Sequence, residues 1–298
     1  MATDLNASFN EQFMNINTKL KKRFLRKPNV SEATNEFLAL AIQCEYSEQP
    51  TFAGHSYIGA AKCEASVGNF LGEAEHLVAA GRQFMKAEKK LSSLKFCSPD
   101  RENLEAAIGC FIQALHKYPD NSSIRLSILT EVANHLVELN LKCEAVSYYE
   151  QALELVEESN MKIMFMRNYI NLLIECDNCD TALEKANELI DSKPNLPEDI
   201  LAEVQLSRVL LSLYVEPSDE VNTESLKQLL TDILNDVDSE AIPFNADLRL
   251  KLQSTIISCA TNDTHSLVKV SSELKHHLST RQTGLLESLL QAKREHLA

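Results

Sequence analysis

The chain has 298 residues, 44% of them hydrophobic, and a formal net charge of -14. This length and apolar content exclude a disordered chain, and the acidic balance argues against general binding to nucleic acid or to an anionic membrane, because those partners require a basic face. With only 7 glycines and no tryptophan, a β-rich protein built on glycine turns is disfavoured, so helix is the default prediction.

Neither secretion nor membrane insertion is expected. The eight cysteines have no framework spacing, and the N-terminus lacks a charged-then-apolar leader. No apolar run approaches the ~20 residues that span a bilayer. We therefore expect reduced thiols and a cytoplasmic protein with no direct insertion into a membrane.

The chain opens with a polar stretch followed by a basic segment. We predict a flexible N-terminal arm over residues 1–18 and a single α-helical repeat domain over residues 19–298. Six cations then fall within nine residues, KLKKRFLRK. These cations are Lys19, Lys21, Lys22, Arg23, Arg26 and Lys27. Leu20 and Phe24 lie one helical turn apart among them.

This basic segment is a candidate partner contact. Its composition is that of an anchor that buries Leu20 and Phe24 while its cations meet acidic groups on a partner. A nuclear-import signal, a membrane-surface contact and a merely solvated basic arm are alternatives that the sequence leaves open. A nuclear-import role adds the nucleus to the expected localisation.

Prolines separate the segments that have helical periodicity. The breaks fall at Pro28, Pro50, Pro99, Pro119, Pro194, Pro197, Pro217 and Pro243. Residues 124–139 illustrate the pattern between breaks, because their apolar side chains recur at spacings of three and four. We predict about a dozen helices from near residue 30 to the C-terminus.

Internal repeats are the most informative pattern. A tetratricopeptide unit is a helix pair of about 34 residues whose second helix carries small side chains at the close crossing and proline at its exit. The strongest copy consists of Ala107, Phe111, Ala114 and Pro119. Further copies are Ala145, Tyr149 and Ala152, then Ala182, Ala186, Leu189 and Pro194, with a weaker one at Ala74, Val78 and Gly81. The repeats predict an all-α, tetratricopeptide-like superhelix, or α-solenoid, of antiparallel helices. An irregular helical bundle with alanine-rich crossings is the alternative.

Motifs for catalysis or cofactor binding are not found. The sequence contains no HExxH, GxxxxGK[ST], GxSxG or GxGxxG, so we expect neither enzymatic activity nor a cofactor. Cys176 and Cys179 form a lone CxxC, whereas a structural zinc needs two more ligands at paired spacing. We interpret them as small buried or half-buried thiols. His276 and His277 are adjacent and point to different sides of a helix, so we interpret both as solvated.

The segment over residues 204–215 is apolar on nearly every side and must be buried on nearly every side. Either later helices of the repeat domain or a partner can cover it. Arg208 lies within it and needs a carboxylate or carbonyl acceptor, because an unpaired buried charge is costly. We include Arg208 among the candidate partner-binding residues.

An acidic segment follows. Residues 216–247 carry nine acidic residues against Lys227 alone, a net charge of -8. Such a segment steers a basic partner surface, or it is simply a solvated acidic face. The candidate contacts chosen from it are Asp232, Asp236, Asp238 and Glu240.

Three stretches carry a resemblance to a known family. Residues 18–33 (TKLKKRFLRKPNVSEA) look like the segment that opens the ordered part of that family's chains. Residues 204–217 (VQLSRVLLSLYVEP) resemble its arginine-bearing apolar helix. Residues 247–290 follow its C-terminal helices through Leu252, Gln253, Ser254, Asn262, Asp263 and Leu285. The chain thus resembles the 40-kDa huntingtin-associated proteins, although residues 192–199 are a short link where vertebrate relatives carry a long proline-rich insertion.

The resemblance implies a non-enzymatic adaptor that forms a heterodimer with huntingtin. It implies packing between the HEAT-repeat lobes of huntingtin, mutual stabilisation, and a link to early endosomes and vesicle motility through a small GTPase. The alternative is an adaptor like the soluble attachment proteins of the vesicle-fusion machinery, which share the length, acidity and helical-repeat design.

Overall fold

Helices account for most of the backbone that the structure describes. The computed structural model describes residues 2–21, 29–96, 99–120, 122–192, 196–215, 223–237 and 242–295. Across these ranges the chain forms fourteen α-helices and one short 3-10 helix, and no strand. The prediction of an all-α fold with consecutive antiparallel helices is confirmed, and thirteen of the described α-helices lie from residue 30 onward, where about a dozen were expected. None of the helices in these ranges is both long and apolar enough to cross a bilayer.

The helices divide into two compact units, residues 1–155 and 156–298. The first unit contains α1 (Ala2–Leu20), α2 (Val30–Tyr46), α3 (Pro50–Ser66), α4 (Phe70–Ser93), α5 (Glu102–Leu115), α6 (Ser123–Glu138) and α7 (Lys142–Glu154). Each of these helices packs against the next one along the chain. The prediction of one domain over residues 19–298 stays a prediction.

The second unit contains α8 (Ser159–Glu175), α9 (Cys179–Ser192), α10 (Glu198–Val215), α11 (Glu224–Leu234), α12 (Ala246–Ala260), α13 (Thr264–Leu274), the 3-10 helix Lys275–His277 and α14 (Thr280–Glu295). In this unit α10 is the central helix, because α9, α11 and α14 all pack against it. The apolar face of residues 204–215 is therefore covered by other helices of the same chain, which is the first of the two possibilities that its sequence allowed.

Side-chain caps begin several helices where the sequence changes from polar to periodic. The side chains of Asn29, Asn69, Ser122, Asn245 and Asp263 accept hydrogen bonds from backbone N–H groups in the first turns of α2, α4, α6, α12 and α13. The helix ends use the left-handed backbone region at Glu48, Asn140, Asp177, Asp236 and Asn262. With so few glycines available, acidic and amide side chains occupy most of these turn positions.

The small side chains of the predicted repeats lie where neighbouring helices cross. Ala107 and Ala114 on α5, and Ala145 and Ala152 on α7, are each 0% exposed. A small residue at a crossing allows two helix axes to approach closely, and larger side chains on both sides fill the space around it. This burial is the structural basis for treating the helix pairs as repeats.

The weaker repeat copy has a different position from the one predicted. Ala74, Val78 and Gly81 lie on α4, which directly precedes α5 without an intervening helix. They therefore belong to the first helix of the α4–α5 pair, not to the second helix of an earlier pair. A Cβ atom at Gly81 would lie 2.9 Å from the ring of Phe111 on α5, so the small side chain is required by this crossing all the same.

Within the segment predicted to be a flexible arm, residues 2–18 form most of α1. The ring of Phe9 stacks on Phe52 of α3 with 4.4 Å between centroids, and Phe13 lies 5.2 Å from Phe37 of α2. Ile16 is buried on the same side of the helix. This apolar stripe explains the helix, because burying it against α2 and α3 offsets the entropy lost by ordering the arm.

Candidate partner-binding surfaces

The basic segment begins at the end of α1. Lys19 forms an ion pair with Glu36 of α2, and the hydrogen bond that its ammonium donates to that carboxylate raises the pKa of Lys19. Lys21 is exposed and forms no ion pair with any residue in the described ranges. The remaining predicted contacts, Lys22, Arg23, Phe24, Arg26 and Lys27, lie outside the described residues.

A groove lies beside Leu20, at the described start of this basic segment. It has a volume of about 510 Å³ and runs between α1 and α3, with α2 beneath it. Its nonpolar lining consists of Phe13, Leu20, Val30, Phe37, Ile58, Gly59 and Cys63. Its polar lining consists of Asn17, His55, Lys62 and Ser66. The groove was not predicted from the sequence, because the residues before Lys19 have the average composition of a polar arm.

A signal for the groove was nevertheless present in the sequence. Phe9, Phe13, Ile16 and Leu20 recur at spacings of four, three and four, which is the periodicity of an amphipathic helix. The polar residues between them lower the average hydrophobicity of the arm without changing that periodicity.

The floor of the groove depends on a close crossing of α2 and α3. Phe37 is almost fully buried, and its ring lies directly over Gly59. A Cβ atom at Gly59 would be 2.7 Å from Cδ1 and 3.0 Å from Cγ of Phe37.

Partial burial and the nearby Lys62 ammonium lower the pKa of His55, so the imidazole at the groove wall is neutral at physiological pH.

Arg208 lies inside the second unit and is 0% exposed. Its Nε donates to the side-chain carbonyl of Asn187 at 2.8 Å, and one terminal nitrogen donates to that of Gln205 at 2.8 Å. The other terminal nitrogen donates to the hydroxyls of Ser225 at 2.8 Å and Thr223 at 3.5 Å. Burial lowers the pKa of the guanidinium to about 10, which leaves it charged at neutral pH.

These contacts supply the carbonyl acceptors that the sequence required for Arg208, and they join three elements, α9, α10 and the start of α11. In this conformation the guanidinium is not accessible to a partner. The apolar sequence around Arg208 predicted that it is buried. It could not distinguish burial by the same chain from burial by a partner.

The described part of the acidic segment is largely engaged within the second unit. Asp232 is buried and accepts a hydrogen bond from Gln228 at 2.6 Å. Asp236 is exposed and lies 3.3 Å from Arg249 in an ion pair. Asp238 and Glu240 lie outside the described residues. Of the four candidate contacts, the structure thus leaves Asp236 as the one described carboxylate at the surface.

Cys179 of the CxxC pair has the chemistry of an inert thiol. Cys176 follows the last turn of α8 and Cys179 begins α9, with Asp177 between them in the left-handed region. Burial, together with Asp177 and Asp180, raises the pKa of the Cys179 thiol to about 11, so the thiolate needed for nucleophilic or metal chemistry is disfavoured. No cluster of three or more metal-ligating side chains occurs in the ranges that the structure describes.

The adjacent histidines have different environments, as their spacing predicted. Nε2 of His277 lies 3.1 Å from the carboxylate of Asp247 and 3.0 Å from Nζ of Lys251. His276 is exposed. The two imidazoles therefore have separate surroundings.

Comparison with known proteins identifies two relatives. The chain is 29% identical over 150 residues to the 40-kDa huntingtin-associated protein of Rattus norvegicus, and equally to that of Mus musculus. The match covers 49% of this chain and 39% of each relative's length. No protein-family model matches the sequence. The resemblance read from the sequence is thereby confirmed: about half of this chain is similar to 40-kDa huntingtin-associated protein.

Proposed function

We propose that this chain is a non-enzymatic scaffold that forms a heterodimer with huntingtin and stabilises it by packing between its HEAT-repeat lobes. The observation that carries the proposal is the 29% identity, over 150 residues, to proteins named for their association with huntingtin. A cytoplasmic adaptor role, linking huntingtin to early endosomes and vesicle motility through a small GTPase, belongs to the same proposal.

The surface of the first unit supports a role in binding a large protein. Tyr46 at the end of α2 is 87% exposed, and Leu94 and Phe96 after α4 are 70% and 59% exposed. The ends of α2 and α4 lie close together, since Nζ of Lys90 is 3.6 Å from the carboxylate of Glu48. Three large apolar side chains at one end of the unit are a feature of surfaces that bind other proteins.

Co-expression tests the proposal directly. We expect this chain to co-purify with huntingtin from the same source in a stable complex at about 150 mM salt, where surface charges are partly screened. Failure of huntingtin to co-purify contradicts the proposal. Capture of an assembled fusion complex in a parallel pulldown instead supports the fusion-adaptor alternative.

Cross-linking mass spectrometry on the co-expressed pair then tests the predicted contacts. We expect links to huntingtin from the cations of the basic segment, including Lys19 and Lys21, and from Lys227 in the acidic segment. Links confined to other lysines contradict these contacts while leaving the scaffold function intact. Substrate turnover by the purified chain contradicts its non-enzymatic character.

A further inference from the structure

We propose that the groove between α1 and α3 binds an amphipathic helix of the protein partner, one that presents apolar side chains on one face and carboxylates beside them. This inference rests on the proposed function, since it takes the occupant to be part of a protein. It goes further in naming the chemistry of the segment that binds.

The shape of the groove supports a helical occupant. Its lining on α3 extends from His55 to Ser66, which is roughly 16 Å at 1.5 Å per residue. Walls from two helices and a floor from a third form the type of groove that receives a helix of about three turns. Apolar side chains at spacings of three and four on the occupant would meet Phe13, Leu20 and Ile58.

The charge around the groove supports an acidic occupant. Lys62 on the α3 wall is exposed and forms no ion pair with any described residue, and the same holds for Lys21 at the end of α1. Lys19 is already paired with Glu36. In a chain with a net charge of -14, two exposed lysines beside one apolar groove, neither paired with a described residue, favour carboxylates on the partner.

A synthetic peptide tests the groove without huntingtin. The probe is a fluorescent helical peptide of about 15 residues with leucines on one face and glutamates beside them, and its control carries lysines in place of the glutamates. We expect the purified full chain to bind the glutamate peptide about tenfold more tightly than the lysine peptide in fluorescence anisotropy. Equal binding of the two peptides, or binding of neither, overturns the inference.

Matched variants locate the binding. Ile58→Arg and Lys62→Glu are expected to weaken binding of the glutamate peptide by about tenfold or more. The controls Ile112→Arg on α5 and Lys86→Glu on α4 make the same chemical changes at exposed positions outside the groove lining. Lys62→Glu alters only an exposed side chain, so its result remains decisive if Ile58→Arg lowers the melting temperature.

The same variants separate this inference from the proposed function. If the wild-type chain and both groove variants retain huntingtin equally well, the inference that the groove binds the partner is overturned, and the proposed scaffold function stands. If the peptide binds as expected but huntingtin does not co-purify, the proposed function fails and the groove stands. A dimer of this chain that Lys62→Glu dissociates assigns the groove to a second copy and overturns the inference.

Discussion

Replacement of Gly59 by alanine tests the close crossing beneath the groove. In a helix interior, Gly→Ala ordinarily stabilises by about 1 kcal/mol, because alanine loses less backbone entropy on folding. At Gly59 the new Cβ would lie within 3.0 Å of three ring atoms of Phe37, including Cγ. Moving Cγ requires a shift of the whole Phe37 side chain or of the α2 backbone. Such a shift is opposed because the Phe37 ring also packs on Phe13.

A matched control at Gly109 isolates the free-energy cost of overpacking at Gly59. Gly109 on α5 belongs to the same unit, and a Cβ atom there would meet nothing within 4 Å. The two substitutions share the gain in helix propensity, so the difference between them isolates the overpacking at Gly59, about 2 kcal/mol. We expect Gly109→Ala to stabilise by about 0.5–1 kcal/mol and Gly59→Ala to destabilise by about 1 kcal/mol.

Urea denaturation followed by far-UV circular dichroism measures both free energies of unfolding. The m-values should be unchanged, because neither substitution alters the surface exposed on unfolding. Equal stabilisation by the two substitutions would refute the reasoning, since it would mean that the ring of Phe37 does not cover Gly59.

Three further outcomes are expected elsewhere in the chain. Arg208→Leu should keep the helix content but lower the free energy of unfolding by about 3 kcal/mol, because buried amide acceptors lose their donor. A near-UV circular dichroism spectrum and a free energy of unfolding equal to those of wild type contradict this prediction. Burial raises the pKa of Glu131, but hydrogen bonds from His135 and Arg82 lower it overall to about 2 from 4.5, so its stabilising contribution is complete above pH 4.5 and is lost as the pH falls towards 2. Acid titrations of unfolding should therefore show a shallower slope for Glu131→Gln across that window, and an unchanged slope contradicts the assignment. Iodoacetamide at pH 8 should label the exposed Cys143 well before Cys179, because burial raises the pKa of the Cys179 thiol to about 11. Peptide mass spectrometry measures the two labelling rates, and equal rates contradict the burial of Cys179.

The repeats were predictable because their sequence signal and their structural cause coincide. Ala107, Ala145 and Ala182 recur at a nearly constant interval, and each is small because a neighbouring helix crosses there. Periodicity alone also predicted that residues 204–215 must be buried on nearly all sides. It could not predict which helices cover that segment, since any apolar surface satisfies the same pattern.

Other features depend on contacts between residues distant in sequence. A glycine inside a helix suggests a close approach, but the sequence of α3 does not indicate that Gly59 meets Phe37 or that Gly54 meets Phe84. The helix α1 was missed for a different reason. Its average composition resembles that of an arm, and only the spacing from Phe9 to Leu20 reveals the apolar stripe.

The buried arginine of α10 has a physical role that its apolar neighbours cannot perform. Contacts between apolar side chains are weakly directional, so a helix that is apolar all round can rotate or slide among its neighbours at modest cost. The Arg208 guanidinium fixes the helix instead, because Asn187 of α9 and Ser225 at the start of α11 accept its hydrogen bonds in one geometry. A buried charge without those acceptors would be strongly destabilising, so each wrong arrangement of α10 is penalised. We infer that Arg208 sets the packing of the second unit, which is why Arg208→Leu is expected to keep its helices and lose their unique arrangement.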